Sequence, residues 1–300
     1  MTRTLLSLAL LLLVATPAVA GKVYRWTDAD GRVHYGDRAP PGVEATRRYD
    51  VPGHEPERFA ELQVQRDPQQ ARVVVRNRLH GPIEVQLELT DAAHVASEPA
   101  MPLSTLLQGS EAREIARIVP TGAATQSTFE LRMQAMPGDP RAMPEDVVYS
   151  LPVDERGFTL GQGFHGEFSH DDEQNRYAVD LVVPEGTPVL AAREGIVMQV
   201  ESGFREAGSN RSRYADRANL IRVLHRDGTM ALYAHLREDG VLVHPGQPVA
   251  LGQHIGYSGN TGYSTGPHLH FALQVNTGMK LASLPFRMVG PRGFLPLGER

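Results

Sequence analysis

Cysteine is absent from this chain of 300 residues. Its absence excludes disulfide bonds, a thiol nucleophile, a cysteine-ligated metal site and a lipid-modified N-terminal cysteine. An oxidising compartment is not excluded, because a protein without thiols can work there as well.

A positive charge surplus and long internal apolar runs are also missing. The net charge is −5, so the chain lacks the excess of basic residues that is typical of nucleic-acid-binding proteins. We therefore expect no nucleic-acid partner. Beyond the N-terminus no stretch approaches the roughly 20 apolar residues that span a bilayer, so we expect no stable membrane insertion. The sequence does not indicate an oligomeric state.

The N-terminus has the pattern of a secretory signal peptide over residues 1–20. Arg3 gives the positive start, residues 5–15 form the apolar run, and Ala18-Val19-Ala20 gives the small-residue cleavage site. The alternative is an uncleaved membrane anchor, for which the run is short. We therefore expect a mature protein that begins near Gly21 and is periplasmic or secreted.

The length favours two or three domains, and the first is predicted at residues 21–49. Apolar residues flank an Asp30-Gly31 turn, which indicates a β-hairpin. The segment resembles a small N-terminal domain of Gram-negative envelope proteins whose function is not established. Residues 50–66 are polar, contain Pro52 and Pro56, and are interpreted as a linker.

A β-sandwich of immunoglobulin-like type is predicted at residues 67–150. Apolar and polar residues alternate over 71–76 and 83–89, with a turn signal between them, and the period returns over 128–133. No constellation of titratable residues marks a site in this region. Its expected role, inferred from its placement, is to position or partly cover the groove of the domain that follows.

Residues 151–290 are predicted to form the third domain, followed by a tail at 291–300. Strands are expected at 189–200, 220–225, 230–235 and 268–275, and glycine and proline recur every few residues with few helix signals. The fold class is therefore mostly β, with an antiparallel sheet preceded by the sandwich and the hairpin unit.

The strongest motif is His268-Leu269-His270 at the start of an apolar strand, after Gly266-Pro267. Side chains two apart on a strand share a face, so the two imidazoles would enter one pocket while Leu269 and Phe271 face the core. Such a pair suits a metal ion, or one metal ligand beside one acid–base group. The spacing alone does not decide between these roles.

Further elements upstream complete a pattern. They are Ser169-His170, residues 177–181 with Asp180, the glycine- and proline-punctuated stretch 184–195, and residues 233–236 with His235. With the H-x-H motif, the pattern resembles the lysostaphin-like, or LytM-type, zinc endopeptidases of bacterial cell walls. The resemblance covers residues 157–286 and extends to the glycines and prolines.

The resemblance implies that His170, Asp180 and His270 bind Zn²⁺. Three protein ligands leave the open, water-bearing position that a catalytic zinc requires, and zinc lowers the pKa of its water to about 7. The second histidine of H-x-H is the implied ligand, and the first is implied to be catalytic.

His235 and His268 remain as the implied catalytic pair. One would take the proton of the water, and the other would hydrogen-bond the developing oxyanion or protonate the leaving amine. The sequence leaves open which of the two is the base, and they are expected to titrate as a coupled pair.

Other residues compete for these roles. His165 is a rival first ligand, His225 precedes a turn and is interpreted as structural, and His244 and His254 are interpreted as solvent-facing. The acidic run at 171–176 is interpreted as a solvated loop. 

Two weaker substrate contacts are predicted at Asn219 and Tyr233. Asn219 matches a position where the family often has a groove-lining asparagine. Tyr233 would share a strand face with His235, although a buried aromatic is the equal alternative.

These features predict a zinc endopeptidase that hydrolyses the peptide cross-links of peptidoglycan. The alternatives are a non-catalytic relative that binds cell wall or activates an amidase, and a zinc protease acting on Gly-rich proteins. Retention of all three ligands and both catalytic histidines favours the enzyme. The sequence does not specify the bond that is cut.

Overall fold

The computed structural model describes residues 21–27, 33–36, 47–51, 55–67, 69–122, 127–153 and 157–298. The predicted signal peptide at 1–20 and the Asp30-Gly31 turn lie outside these residues. Within them, no helix is long and apolar enough to cross a membrane. The chain divides into two compact units, Met1–Glu55 and Pro56–Arg300.

The first unit contains a three-stranded antiparallel sheet. Its strands are β1 Gly21–Thr27, β2 Val33–Gly36 and β3 Arg47–Val51, in the order β2-β1-β3. The predicted hairpin is present, with Tyr24 opposite Gly36 and Thr27 opposite Val33. The third strand, which pairs with β1, was not predicted.

The second unit begins with seven strands in two sheets. They are β4 Ala60–Arg66, β5 Ala71–Asn77, β6 Ile83–Ala93, β7 Val95–Glu98, β8 Leu103–Leu107, β9 Ala112–Pro120 and β10 Thr128–Pro137. One sheet has the order β4-β5-β9-β7 and the other β10-β6-β8. The predicted alternation holds, since Val73 and Val75 of one sheet and Ile83 and Val85 of the other are buried. Strand β4 lies inside the predicted linker 50–66, so that prediction was wrong for residues 60–66.

Ten of the remaining strands form one large sheet. The remaining strands are β11 Val148–Ser150, β12 Thr159–Gln162, β13 Val179–Val182, β14 Pro188–Leu190, β15 Gly195–Glu201, β16 Ala207–Gly208, β17 Asn219–Leu224, β18 Met230–Val241, β19 Pro248–Val249, β20 His254–Ser258, β21 Gly262–Tyr263, β22 Leu269–Asn276, β23 Leu281–Ser283, β24 Arg287–Gly290 and β25 Gly293–Phe294; the helix is α1 Arg211–Tyr214. The path through the sheet is β12-β13-β22-β18-β17-β15-β19, with β14, β20 and β23 paired beside it. All four predicted strands are present, and the first is divided into β14 and β15.

The two larger of three hydrophobic cores among the described residues support the sheets of the second unit. One lies against the ten-stranded sheet and includes Tyr149 and Phe271. The other fills the sandwich and also takes in Met198 and Met230 from the ten-stranded sheet. Because both regions share a core within one compact unit, the division at 150/151 stays a prediction.

The predicted C-terminal tail packs as part of the structure. Strand β25 pairs with β24, and the buried Leu297 accepts a hydrogen bond from the Phe164 amide at 2.6 Å. Residues 293–298 are thus held by strand pairing, by backbone hydrogen bonds and by the buried Leu297, so their description as a tail was wrong.

Candidate active site

Three neighbouring strands bring the principal site residues together. Asp180 on β13 lies directly opposite His270 on β22, and His270 lies opposite Ala234 on β18. Residues opposite each other on paired strands share a face. The carboxylate and the imidazole therefore project from the same face of the sheet, as the H-x-H alternation requires for His270.

The predicted burial of the alternate residues is also observed. Leu269 and Phe271 are fully buried in the core on the other face of the sheet. His268 directly precedes β22, and its amide donates to the Gly259 carbonyl at 3.2 Å. The motif thus places two histidines on the site face and two apolar anchors beneath it.

His170, Asp180 and His270 form a buried cluster whose potential ligand atoms all lie within 4.8 Å of one another. Asp180 Oδ1 is 3.2 Å from His170 Nε2 and 2.9 Å from His270 Nδ1. His170 comes from the segment between β12 and β13. These are the three residues that the resemblance implies as zinc ligands.

The hydrogen bonding of His170 fits a cation at this cluster. Its Nδ1 lies 2.8 Å from the Gly163 carbonyl, which can only accept a hydrogen bond, so Nδ1 carries the proton. In the neutral ring the Nε2 lone pair then faces the Asp180 carboxylate. Two electron-pair donors this close need a proton or a metal ion between them, and fixing one ring nitrogen is the usual way to orient a metal ligand.

The pKa shifts of the cluster reflect the contacts among its members. Burial lowers the pKa of His170, but the hydrogen bond and the charge of Asp180 outweigh burial and raise it. Burial alone would raise the pKa of Asp180, but the hydrogen bonds to His170 and His270 outweigh it and hold the pKa well below its usual range. Burial lowers the pKa of His270, more than Asp180 raises it. An ionised carboxylate beside a neutral imidazole is the state in which both bind metal.

His235 and His268 form the second part of the site. Their ring centroids are 4.6 Å apart, and His268 Nε2 is 3.7 Å from Asp180 Oδ1. His235 Nδ1 lies 2.6 Å from the Thr261 carbonyl, and His268 Nδ1 lies 2.8 Å from the Gly266 carbonyl. Both rings therefore hold a proton on Nδ1 and leave Nε2 available. Burial, with smaller effects of His268 and His270, lowers the pKa of His235 to about 3.

A β-bulge at His235 explains how this side chain reaches the site. Leu220 pairs with Ala234 and Asn219 with Leu236, so His235 is the extra residue of its strand. Its φ is +62°, in the left-handed region. A bulge re-aims a side chain, and here it turns His235 toward His268 instead of the core.

The same bulge separates His235 from Tyr233, so the predicted shared face was wrong. Tyr233 is fully buried, and its hydroxyl accepts a hydrogen bond from the Ala192 amide at 2.8 Å. The buried-aromatic alternative therefore describes it. It is a core residue opposite Phe271 and has no surface for a substrate.

Asn219 is likewise buried and does not line a groove. Its Oδ1 accepts from the Phe204 amide at 2.8 Å, and its Nδ2 donates to the carbonyls of Phe204 and Leu236. These bonds connect the start of β17 to the segment before α1 and to β18. The side chain has a structural role, and the weaker substrate prediction was wrong.

The competing residues lie apart from the cluster. His165 is exposed, with its ring against Tyr177, and His244 is exposed in a turn. His225 is buried beside its turn, with Nδ1 2.7 Å from the Glu194 carbonyl, and His254 is half-buried on β20. In the acidic run, Asp171 and Asp172 pair with Arg211.

Gln162 is the site residue that the sequence did not reveal. Its Nε2 donates to Asp180 Oδ2 at 2.7 Å. It lies between two glycines at the end of a short strand, with no periodicity or spacing that marks it. Only the pairing of β12 with β13 brings it opposite Asp180.

Two family patterns match the chain. Residues 174–281 match the family described as Peptidase family M23, and residues 10–72 match a domain of unknown function, DUF4124. Asp180, His235, His268 and His270 lie inside the first range, and His170 lies just before it.

Curated relatives match over the same part of the chain. An uncharacterized metalloprotease of Haemophilus influenzae is 31% identical over 164 residues, which cover 49% of this chain and 32% of that protein. The glycyl-glycine endopeptidase ALE-1 of Staphylococcus capitis is 40% identical over 104 residues, 34% of this chain and 25% of that protein. The peptidoglycan DD-endopeptidase ShyA of Vibrio cholerae is 40% identical over 96 residues, 32% and 19% of the two chains.

The chain thus spans less than a third of the length of each of these relatives. The chain is similar to peptidase family M23 over residues 174–281 and to DUF4124 over residues 10–72.

Proposed function

We propose that this protein is a zinc-dependent endopeptidase that hydrolyses the peptide cross-links of bacterial peptidoglycan. The observation that carries the proposal is the convergence of His170, Asp180 and His270 on one point, with His235 and His268 beside it. A metal-binding set next to two imidazoles with available Nε2 atoms is the constellation that amide hydrolysis needs.

The three buried residues are the proposed ligands of the metal. Two imidazole nitrogens and a carboxylate oxygen are ligands that zinc commonly takes, and they leave a fourth position for water or substrate. Zinc bound there would supply Lewis acidity and lower the pKa of a water molecule to about 7.

His235 and His268 are the proposed acid–base pair. Because Nδ1 of each ring donates to a backbone carbonyl, Nε2 is the atom that accepts a proton from the attacking water or returns it to the departing amine. The protonated member can also donate to the oxyanion that develops on the scissile carbonyl.

An amide is the proposed scissile bond for two reasons. The relatives named above are a glycyl-glycine endopeptidase and a peptidoglycan DD-endopeptidase, and both names describe peptide bonds. Glycan cleavage normally uses two carboxylates around the sugar linkage, and the carboxylate that the structure brings to the histidines, Asp180, is engaged by His170 and His270. The D-alanine–diaminopimelate bond is the first candidate.

The proposal includes export. The N-terminal pattern of residues 1–20 supports removal of a signal peptide and a periplasmic or secreted location, where peptidoglycan is accessible. A non-catalytic wall-binding or amidase-activating protein, and a protease of Gly-rich proteins, are the alternatives that the experiment must distinguish.

Digestion of purified cross-linked muropeptide dimers tests the function. Mass spectrometry should show monomers with intact sugars, chelator should stop the reaction, and Asp180→Ala should be inactive. Unchanged dimers with new reducing sugar ends would exclude an endopeptidase. Unchanged dimers and sugars, with stimulation of an added amidase, would identify the non-catalytic alternative, and cleavage of a Gly-rich protein alone would identify the third.

A further inference from the structure

Gln162 contacts both parts of the proposed metal-binding set. Its Nε2 donates to Asp180 Oδ2 at 2.7 Å and to Ser169 Oγ at 3.0 Å, and its Oε1 accepts from the Phe168 amide at 3.1 Å. Asp180 is one proposed ligand, and Ser169 and Phe168 directly precede another, His170. One side-chain amide thus joins the strand that carries the carboxylate to the loop that carries the imidazole.

A bulge in β12 places Gln162 for these bonds. Leu160 pairs with Leu181 and Gln162 pairs with Asp180, so Gly161 is the extra residue. The bulge puts Gln162 directly opposite Asp180, which is itself opposite His270. Gln162, Asp180 and His270 therefore form one row across three adjacent strands.

Gln162 determines which oxygen of Asp180 contacts the two histidines. Oδ2 is held by Gln162, and Oδ1 is the oxygen at 3.2 Å from His170 Nε2 and 2.9 Å from His270 Nδ1. Without the amide donor, the carboxylate can rotate about its Cβ–Cγ bond and share its oxygens differently. The bond to Gln162 thus favours presentation through a single oxygen.

The next residue orients the other ligand from the same strand end. The Gly163 carbonyl accepts from His170 Nδ1 at 2.8 Å. A Cβ atom on Gly163 would lie 2.4 Å from the Leu297 carbonyl oxygen, so the C-terminal segment holds this backbone in place. Gln162 therefore acts from a position that has little freedom to shift.

We propose that Gln162 is a positioning residue that holds Asp180 and the His170 loop in the geometry for metal binding. The inference rests on the metal site of the proposed function and adds to it a residue that does not itself ligate. Outer partners that hydrogen-bond ligating side chains commonly change metal affinity by about 10–100-fold when they are removed.

The test is the zinc affinity of the full chain, measured by competition with a chromophoric chelator. Gln162→Met keeps the length of the side chain and removes all three hydrogen bonds, and it should weaken zinc binding by about 10–100-fold. Gln253→Met is the matched control, because Gln253 Oε1 accepts from the Ala250 amide in a turn away from the cluster. That variant should bind zinc as the wild type does.

The absorption spectrum of the Co²⁺-loaded proteins separates positioning from a general effect on the fold. The ligand-field bands should change for Gln162→Met and remain unchanged for Gln253→Met. If Gln162→Met does not fold, as judged by circular dichroism of the metal-free protein, Gln162→Ala replaces it with the same expected loss.

The outcomes distinguish this inference from the proposed function. A wild-type protein that binds no zinc removes the proposed metal site itself. A wild-type protein that binds zinc tightly, with the same affinity and the same Co²⁺ spectrum in the Gln162 variant, overturns the role of Gln162 alone.

Discussion

The rings of His235 and His268 lie 4.6 Å apart, and each turns its Nδ1 atom away from the other toward a backbone carbonyl. Their Nε2 atoms are consequently the reactive ones. The two carbonyls belong to Thr261 and Gly266, which lie on either side of the short strand β21 in the connection between β20 and β22. A single connection thus sets the tautomer of both proposed acid–base residues.

Replacing His268 by alanine should separate catalysis from metal binding. His268 is not one of the three clustered ligands, so zinc should remain bound at one ion per chain. Turnover of muropeptide dimers should fall by about 100-fold or more, which is the scale of a lost acid–base group. Elemental analysis and a turnover assay on the same sample measure both quantities.

The matched control for that experiment is His244→Ala, because His244 is exposed in a turn. It should keep both zinc and turnover. Loss of zinc from His268→Ala would mean that the roles of His268 and His270 are exchanged, and normal turnover would remove His268 from the mechanism.

Replacing Asp180 or His270 by alanine should instead abolish tight zinc binding. Each change leaves an incomplete set of ligands, and Asp180→Ala also leaves His170 and His270 without the carboxylate that both contact. Zinc content after dialysis against a weak chelator is the measurement. Full zinc in both variants would contradict the assignment of ligands.

The sequence predicted the part of the site that depends on local alternation. His268 and His270 lie on the site face because a strand alternates, and Leu269 and Phe271 are buried for the same reason. The order of Asp180 and the histidines along the chain, compared with a known family, then gave the composition of the cluster.

The parts that could not be predicted depend on bulges and long-range pairing. The bulge at His235 reverses the expected relation to Tyr233, and the bulge at Gly161 brings Gln162 to Asp180. A bulge adds one residue to one strand, and this becomes visible only when the partner strand is known. Single-strand periodicity therefore cannot show either effect.

The polar composition of residues 60–66 also prevented the prediction of strand β4. Strand β4 has mostly exposed side chains, because only Ala60 is fully buried and β4 lies at the edge of its sheet. An edge strand with a polar surface has the composition of a linker. The C-terminal segment was not recognised for a different reason. It is held by backbone hydrogen bonds to Phe164 and Met288 and by burial of Leu297, and neither gives a periodic pattern in the sequence.

The left-handed backbone at His235 predicts that glycine is more stable than alanine at this position, which is the reverse of the usual order in a strand. Glycine adopts φ near +62° without penalty, whereas a Cβ atom in this region costs about 1–2 kcal/mol. His235→Gly should therefore be more stable than His235→Ala by about 1 kcal/mol. Urea unfolding of both metal-free variants measures the difference, because neither retains the imidazole.

The same two substitutions, to glycine and to alanine, at Gln134 are the control, because Gln134 is an exposed residue of the ordinary strand β10. In an ordinary strand glycine is the worse residue, by about 0.5–1 kcal/mol relative to alanine, so the order should reverse there. If alanine is the more stable choice at both positions, the bulge is not present in solution.

Asp227 should make the stability of the second unit depend on pH below about 4. Its Oδ2 accepts from Arg193 Nη1 at 2.7 Å and from the Glu145 amide at 3.1 Å, and its Oδ1 accepts from the Thr229 hydroxyl at 2.7 Å. Burial raises the pKa of Asp227, but the hydrogen bonds, chiefly that from Arg193, outweigh burial and lower the pKa to about 2.

The direction of this pH dependence follows from the lowered pKa of Asp227. The stabilisation is fully present above the pKa of the unfolded chain, which is 3.8, and is lost as the pH falls through the folded value of about 2. Asp227→Asn does not titrate, so it should be less stable than the wild type by about 2 kcal/mol at pH 6, the scale of a buried hydrogen bond to a charged group. Roughly half of that difference should remain at pH 3.

Urea unfolding of both proteins at pH 6, 4 and 3 measures how the difference in their stability decreases as the pH falls. Asp139→Asn is the matched control, because the partner of Asp139 is Arg141, whose side chain is 76% exposed, and such surface pairs contribute less than about 1 kcal/mol. A constant difference between wild type and Asp227→Asn across this range would show that Asp227 has an ordinary pKa in the folded protein. The bonds from Arg193 and Glu145 would then contribute to stability without favouring the ionised carboxylate.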